Sequence, residues 1–236
     1  MKNFSIIIPL YNEELNLKNL IEEIFLSLKK SNNKFEIILV NDASVDKTLK
    51  EIELLKKKYP DVIKSLNNNN NLGQSFSLIE GIKLSIYKTI VTLDGDGQNN
   101  PKDIPLLLNI FFSDQKFSLV GGIRRKRKDS IVKIFSSKLA NKFRKIILKD
   151  NCDDTGCSLK VFDKGVFIKF TYFDGIHRFL PALFNGYDKK TFFIDVDHRP
   201  RIHGYSKYGT FVRLFKGIKD LIRVAKMIKK FKRDRA

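Results

Sequence analysis

Two aspartates separated by one glycine are the residues of this chain best suited to chemistry. Asp94 and Asp96 follow the apolar run at residues 90–93 and precede Gly97 and Gln98. Carboxylate and amide oxygens are preferred ligands of Mg²⁺ and Mn²⁺, ions that keep positions open for substrate phosphates. The spacing predicts that both carboxylates bind one divalent cation, with the Gln98 oxygen as a further ligand. The alternative is a plain Asp–Gly turn.

Two earlier apolar runs also end in polar residues. Glu13 follows the run at residues 4–10, and Asp42 follows the run at residues 35–40. Open α/β sheets bind ligands at the carboxyl ends of their parallel strands, so we expect these side chains to lie beside Asp94. Three such strand ends would form a crevice for a base, a ribose and a metal-bound diphosphate.

Strands and helices that position these residues alternate along the first hundred residues. Apolar runs of strand type alternate with segments of helical periodicity, including a strand at residues 62–66 and a helix at residues 74–86. This order predicts an α/β fold, with a Rossmann-like, mostly parallel sheet flanked by helices. Neither a G-x-G-x-x-G after the first strand nor a G-x4-G-K-[ST] motif occurs, which disfavours a dinucleotide oxidoreductase and a P-loop phosphotransferase.

Most of the net charge of +19 lies in two segments. Residues 124–149 hold eleven Lys or Arg against one Asp, and residues 210–236 hold ten against two. Such segments on a nearly neutral body predict contact with an anionic surface, either membrane phosphates or nucleic acid. Apolar residues at helical spacing in residues 131–148 and 211–231 are typical of basic amphipathic helices on an anionic membrane. Packing of each helix on the domain's own core is the alternative.

The apolar stripe of the second segment comprises Phe211, Phe215, Ile218, Ile222, Ala225 and Ile228. The sequence contains no apolar run of 18 residues and no signal-like N-terminus, so we expect a cytoplasmic protein bound peripherally to the inner face of the membrane. The two cysteines, Cys152 and Cys157, lack metal-ligand neighbours and are expected to be reduced.

Seven sequence blocks span most of the chain. They read IIIPLYNE (residues 6–13), ILVNDASVDKT (38–48), NNLGQSFSLIEGI (70–82), VTLDGDGQNNP (91–101), LVGGIRRKR (119–127), DTGCSLKVF (154–162) and HRPRIHGYSKYG (198–209). In this order they resemble the family 2 glycosyltransferases of the GT-A fold. The resemblance is strongest to the branch of dolichyl-phosphate mannosyltransferases and bacterial polyprenyl-phosphate glycosyltransferases.

The resemblance implies a GT-A domain at residues 1–209 and a basic amphipathic helix at residues 210–236. Within the domain, residues 1–100 form the nucleotide-binding half and residues 101–209 the acceptor-binding half. The implied donor is a GDP- or UDP-linked sugar. In this assignment Pro9, Tyr11 and Glu13 border the nucleobase, Asp42 holds the base or ribose, Asp94 faces the ribose and diphosphate, and Asp96 is the main metal ligand, with Gln98 beside it.

The implied reaction is inverting transfer to a dolichyl or undecaprenyl phosphate for cell-envelope glycan or glycolipid synthesis. A lipid phosphate is already an anion at neutral pH, so it needs cations to position it rather than a base, and guanidinium groups suit phosphate. The residues assigned to catalysis are Asp96, Asp154 and Arg124. Those assigned to the acceptor or its phosphate are Arg124, Arg127, Arg144, Arg201, Ser206 and Lys207.

Two other functions stay open at this point. If the acceptor is a hydroxyl of a glycan or lipid, a base is required and Asp154 is the candidate. If the chain is a nucleic-acid-binding module, its basic segments should carry interleaved aromatic stacking platforms. They do not, so no specific nucleic acid partner is expected. The sequence leaves the oligomeric state open.

Overall fold

The computed structural model describes residues 2–113, 116–124, 144–201 and 210–235, with side chains of the last helix from residue 217 onward. Its strands are β1 (Phe4–Leu10), β2 (Phe35–Asn41), β3 (Ile63–Asn67), β4 (Thr89–Thr92), β5 (Phe117–Arg124), β6 (Lys160–Asp163) and β7 (Lys190–Val196). They form a seven-stranded sheet in the order β3-β2-β1-β4-β6-β5-β7.

Parallel pairing dominates this sheet. Strand β1 pairs in parallel with both β2 and β4, β2 pairs in parallel with β3, and β5 with β7. Only β6, which returns between β4 and β5, is antiparallel to its neighbours in the described chain. The predicted Rossmann-like α/β sheet is confirmed. Because β2, β1 and β4 are adjacent, their carboxyl ends meet at one edge.

The helices are α1 (Glu14–Leu28), α2 (Thr48–Lys58), α3 (Gln74–Leu84), α4 (Ile104–Ser113), α5 (Lys164–Phe167), α6 (Leu180–Gly186) and α7 (Thr210–Arg233). Helix α3 ends two residues before the predicted position. There the Ser85 hydroxyl donates to the Ile82 carbonyl at 2.6 Å and the backbone of Ser85 turns extended. The Ile86 N–H then donates to the buried Glu36 carboxylate at 2.7 Å.

Two apolar cores cover the two faces of the sheet. Successive residues of β1 alternate between them, as a pleated strand requires: Ile6 and Ile8 pack with α1, α2 and α4, whereas Ile7 packs with α3, α6 and α7. Cys152 and Cys157 are buried free thiols, as expected from the sequence. Burial raises the pKa of Cys152 to about 12, which keeps this thiol protonated and unreactive.

Helix α7 divides the predicted apolar stripe between core and solvent. Val224 is fully buried, and Ala225 and Ile228 pack against the same core, whereas Ile218 and Ile222 are 49% and 52% exposed. The side chains of Phe211 and Phe215 lie outside the described residues, as does most of the basic segment at residues 131–148. Among the described helices, none is both long enough and apolar enough to span a bilayer.

Gly81 sets the distance between α3 and the sheet. A Cβ at this position would lie 2.5 Å from Cγ2 of Ile7 and 3.0 Å from Cγ2 of Val40. We expect Gly81→Ala to lower the free energy of unfolding by about 1–3 kcal/mol, because the helix must move off the strands. Urea denaturation measures this change.

The matched control is Gly217→Ala in α7, where no described atom lies within 4 Å of the added Cβ. This variant should be neutral or gain about 0.5–1 kcal/mol, because alanine favours a helix over glycine. If the two substitutions change the free energy of unfolding equally, close packing at Gly81 does not contribute to stability.

Candidate active site

The loop after β4 lies against the end of β1. A Cβ on Gly95 would lie 2.4 Å from Cδ2 of Leu10 and 3.3 Å from the Pro9 carbonyl oxygen, so only glycine fits between the two aspartates. Gly97 has a φ of +71°, which glycine adopts without strain. The two glycines therefore let the chain turn back on itself at the edge of the sheet, with Asp94 and Asp96 on the turn.

Asp94 is held by residues from two other segments. Its Oδ1 accepts a hydrogen bond of 2.7 Å from Nε2 of Gln74, the first residue of α3. Ser158, whose hydroxyl donates to Asn99 Oδ1, lies near the same carboxyl group and acts to lower its pKa. Burial, together with the charge of the neighbouring Asp96 carboxylate, raises the pKa of Asp94 to about 6. Two carboxylates crowded in this way are a natural place for a cation.

Asp96 is buried and both its oxygens are engaged. Oδ1 accepts from the backbone N–H of Gln98 at 3.0 Å, and Oδ2 forms an ion pair with the Arg201 guanidinium. The side-chain nitrogen of Gln98 donates to the Arg199 carbonyl at 3.3 Å, which leaves the Gln98 oxygen available to a ligand. A positive group already occupies the position predicted for a divalent cation.

The donor set fits such a cation. Among the described residues, no group of three His, Cys, Asp or Glu side chains converges as a metal site. A divalent ion on Asp96 would therefore take its other ligands from amide, water or diphosphate oxygens. This is how Mg²⁺ is commonly bound beside substrate phosphates.

The loops after β1 and β2 are tied to each other. The Asn12 N–H donates to the Ser44 hydroxyl at 3.0 Å, and the Glu13 N–H donates to the Thr48 hydroxyl at 2.8 Å. Glu13 is buried and its carboxylate accepts from Nδ2 of Asn16 at 2.7 Å. Pro9 and Tyr11 are half-buried beside these contacts, at the same edge as the aspartates.

Asp42 organises the loop that precedes α3. Its Oδ1 accepts from the Leu72 N–H at 2.9 Å and from the Asn68 side chain at 2.8 Å, and its Oδ2 accepts from the Gly73 N–H at 2.8 Å. The sequence assigned Asp42 to the base or ribose, and that role stays a prediction. The hydrogen bonds add a structural role that the sequence did not indicate.

Arg124 and Asp154 form one largely buried unit, with 14% and 7% of their side chains exposed. Nε and Nη2 of Arg124 donate to the two Asp154 oxygens at 2.6 and 2.8 Å, and the Arg124 N–H adds a third bond at 3.2 Å. Burial alone would lower the pKa of Arg124, but the hydrogen bonds and charge of Asp154 outweigh it, so this pKa is raised. A Cβ on Gly156 would lie 2.8 Å from Nη2 of Arg124, so the glycine makes room for the guanidinium.

Arg144 is buried in the interior. Its guanidinium pairs with Asp150 at 3.1 Å and donates to the Cys152 carbonyl, while its Nε and Nη1 have no described partner. This placement supports a role in holding the 150–154 loop, and contact with a phosphate stays a prediction. Arg127, Ser206 and Lys207 lie outside the described residues.

Four residues at the site were missed by the sequence analysis. They are Gln74, which donates to Asp94, Ser158, which donates to Asn99, and Arg199 and Lys160, which fix the surrounding loops. Lys160 is buried and donates to the carbonyls of Thr155 and Cys157. Arg199 pairs with Glu23, 176 positions away along the chain. No local pattern signals contacts over that separation.

The sheet order and the acidic loop at its edge define the class of protein, an enzyme of the GT-A fold. Residues 5–171 match the family model for glycosyl transferase family 2. This chain belongs to that family and is a glycosyltransferase, so the membership and fold expected from the sequence are confirmed.

Two curated relatives carry the name undecaprenyl-phosphate 4-deoxy-4-formamido-L-arabinose transferase. The protein of Pectobacterium carotovorum subsp. carotovorum (strain PC1) is 33% identical over 225 residues, which are 94% of this chain and 67% of the relative. That of Shewanella sediminis (strain HAW-EB3) is 33% identical over 218 residues, 92% of this chain and 65% of the relative. The chain thus spans about two thirds of the length of these relatives.

Solved structures share the fold at low identity. The mannosyltransferase PcManGT from Pyrobaculum calidifontis, in complex with GDP-Man and Mn²⁺, aligns with a TM-score of 0.64 at 14% identity, covering 93% of this chain and 64% of that one. Glucosyl-3-phosphoglycerate synthase from Mycobacterium tuberculosis, with Mg²⁺ and UDP, gives 0.65 at 15% identity, covering 94% and 77%. These similarities support the fold alone.

The contacts of Asp42 generate a stability prediction. Asp42→Ala removes the acceptors of the Leu72 and Gly73 N–H groups, so we expect a loss of about 2 kcal/mol in the free energy of unfolding without any ligand. Urea denaturation provides the measurement. The control is the exposed Asp61→Ala, which should stay within about 0.5 kcal/mol of wild type. An Asp42→Ala variant as stable as the control would contradict this structural role.

Proposed function

We propose that this glycosyltransferase moves a sugar from a nucleoside-diphosphate sugar to a polyprenyl phosphate, with inversion, at the inner face of the membrane. The observation that carries the proposal is that an acidic loop and a guanidinium group lie near each other at one edge of the sheet. The acidic loop at Asp94 and Asp96 suits a metal-bound diphosphate, and the charge of Arg124 acts on the Asp94 carboxylate. The names of the undecaprenyl-phosphate transferases among the relatives support the choice of acceptor.

Asp96 and the Gln98 oxygen would hold Mg²⁺ or Mn²⁺, with Asp94 on the ribose side. The ion would neutralise the charge that develops on the diphosphate as it leaves. Glu13 and Asp42, fixed at the ends of β1 and β2, would bind the nucleoside. The nucleobase is either guanine or uracil.

In the transfer step a phosphate oxygen of the acceptor attacks the anomeric carbon. The bond from this carbon to the diphosphate breaks, and the nucleoside diphosphate leaves with its electron pair. Arg124 would hold the acceptor phosphate, because a guanidinium binds phosphate through directed hydrogen bonds. Asp154 would fix the plane of that guanidinium. Arg201 and the predicted Arg127, Ser206 and Lys207 would add further positive or hydrogen-bonding groups.

The alternative is a hydroxyl acceptor with Asp154 as the base. Asp154 is suitably placed at the site, but both its oxygens already accept hydrogen bonds from Arg124. This engagement favours the phosphate acceptor, for which Asp154 acts through Arg124 and takes no proton.

A transfer assay tests the proposal. Purified protein is incubated with Mg²⁺ or Mn²⁺, a panel of UDP- and GDP-sugars, and either undecaprenyl phosphate or the corresponding alcohol. We expect a lipid-linked sugar only with the phosphate acceptor. Asp96→Ala should lower the rate at least about 100-fold while leaving the fold intact, because charge stabilisation at the leaving group is lost.

Two variants separate the acceptor classes in the same assay. For a phosphate acceptor, Arg124→Gln should reduce transfer more than Asp154→Asn does, because Asp154 only orients the guanidinium. For a hydroxyl acceptor, Asp154→Asn should abolish transfer and Arg124→Gln should have the milder effect. Transfer to the alcohol with the second pattern would replace the proposal by its alternative.

Helix α7 supports a position on the membrane surface. Its exposed Ile218 and Ile222 are interspersed with Lys219, Arg223 and Lys226. Apolar side chains among basic residues favour an anionic bilayer surface, where the former enter the headgroup region and the latter meet lipid phosphates.

We expect the double substitution Ile218→Ser and Ile222→Ser to weaken binding to phosphatidylglycerol-containing vesicles about 30-fold, since each exposed side chain contributes about 1 kcal/mol. Cosedimentation measures the binding. The matched control is Leu26→Ser with Leu54→Ser, which removes side chains that are 67% and 50% exposed, at least as exposed as the isoleucines to within a few per cent, from α1 and α2 on the other face of the sheet. Similar losses in both double variants would argue against α7 as the docking helix.

A further inference from the structure

The ion pair between Arg201 and Asp96 closes the position that the proposed function assigns to the metal. The Gln98 N–H takes one Asp96 oxygen, and Arg201 takes the other. Both side chains are largely shielded, with 26% of Arg201 and 9% of Asp96 exposed. A divalent cation that binds Asp96 through Oδ2 must first displace the guanidinium.

Arg201 is held in place by the residues just before it. The Arg199 N–H donates to the Gln98 carbonyl at 2.9 Å, and His198 forms a β-bridge with Asn99. This segment therefore runs alongside the metal loop, and Arg201 emerges next to Asp96.

A clamp to α1 strengthens the attachment. The Arg199 guanidinium binds both oxygens of Glu23 at 2.9 and 2.6 Å and also donates to the Asn99 carbonyl at 3.3 Å. Bidentate pairs of this kind fix the geometry as well as the charge. The Arg201 contact is thus built into the fold and does not depend on a loosely placed surface side chain.

We propose that Arg201 and the divalent cation compete for Asp96, and that the donor's diphosphate resolves the competition by drawing Arg201 onto its own oxygens. The inference rests on the proposed metal site and adds to it an order of events. Without a diphosphate, Arg201 neutralises Asp96 and the site binds metal weakly. With one, the guanidinium gains a bidentate partner and the cation gains both Asp96 and phosphate oxygens. Metal and nucleotide binding are then positively coupled.

The first measurement is the affinity for Mn²⁺ alone, by titration calorimetry and by the electron paramagnetic resonance signal of free Mn²⁺. We expect Arg201→Gln to bind Mn²⁺ about tenfold more tightly than wild type, within the usual range of coupling between sites. The charge-matched control is Arg233→Gln near the end of α7, which is 77% exposed and should change the affinity less than about twofold. Asp96→Asn should abolish the binding.

The second measurement is the affinity for UDP and for GDP at saturating Mg²⁺. Here Arg201→Gln should bind whichever nucleotide the wild type prefers about tenfold more weakly, since a phosphate partner is lost. The two affinities thus move in opposite directions. Damage to the fold would lower both, and circular dichroism of the variant checks for it.

The outcomes distinguish this inference from the function on which it rests. If wild type and Arg201→Gln bind Mn²⁺ equally, and Asp96→Asn does not bind it, the competition is wrong and the metal site stands. If neither wild type nor Arg201→Gln binds Mn²⁺ alone but both bind it together with UDP or GDP, the competition is wrong and the metal site stands. If neither binds it even with the nucleotide present, both ideas are wrong. If Arg233→Gln tightens binding as much as Arg201→Gln, the effect is one of net charge and the specific contact is refuted.

Discussion

The parallel pairing of β1 with both β2 and β4 is the constraint on which the site depends. Parallel strands end at the same edge, so the loops after these three strands must share one crevice. Glycine at position 95 then allows the β4 loop to lie against the end of β1, because a Cβ at this position would lie only 2.4 Å from Cδ2 of Leu10. Asp94 and Asp96 are therefore placed by backbone packing, and their side chains need no long reach to meet a ligand.

Such crowding of carboxylates is tolerated because each one has donors from a different part of the chain. Asp42 accepts hydrogen bonds from the N–H groups before α3, and Asp94 accepts one from Gln74. Asp96 forms an ion pair with Arg201, and Asp154 forms one with Arg124. A buried carboxylate without such partners would be costly. Peptide N–H donors and guanidinium donors differ in whether they can change partner. Peptide N–H groups are fixed parts of the fold, whereas a long guanidinium side chain can exchange one anion for another.

Local patterns in the sequence were sufficient for the first four strands, for the start of α3 and for the acidic loop, whereas β5, β6 and β7 were not predicted. Strand β1 was predicted at its observed limits, and α3 ended two residues early only because Ser85 binds back to Ile82. Partners distant in sequence escaped prediction, as with Glu23 and Arg199, because nothing in either neighbourhood encodes the other. Tertiary contacts also explain why only part of the predicted apolar stripe on α7 is buried. Periodicity shows that a helix has an apolar face, but tertiary packing decides that Val224 is buried and Ile222 exposed.

Helix α7 is not an independent appendage to the crevice. Its Asp220 accepts from Arg178 at 3.1 Å, and the adjacent Gly175 N–H donates to the Ser75 hydroxyl at 2.8 Å, which also bonds His177 at 2.7 Å. Ser75 follows Gln74, the residue that holds Asp94. These hydrogen bonds, together with the backbone between Gly175 and Arg178 and between Gln74 and Ser75, join the helix with the exposed isoleucines to the acidic loop. The position of α7 relative to the acidic loop is therefore set by packing and hydrogen bonds of the fold.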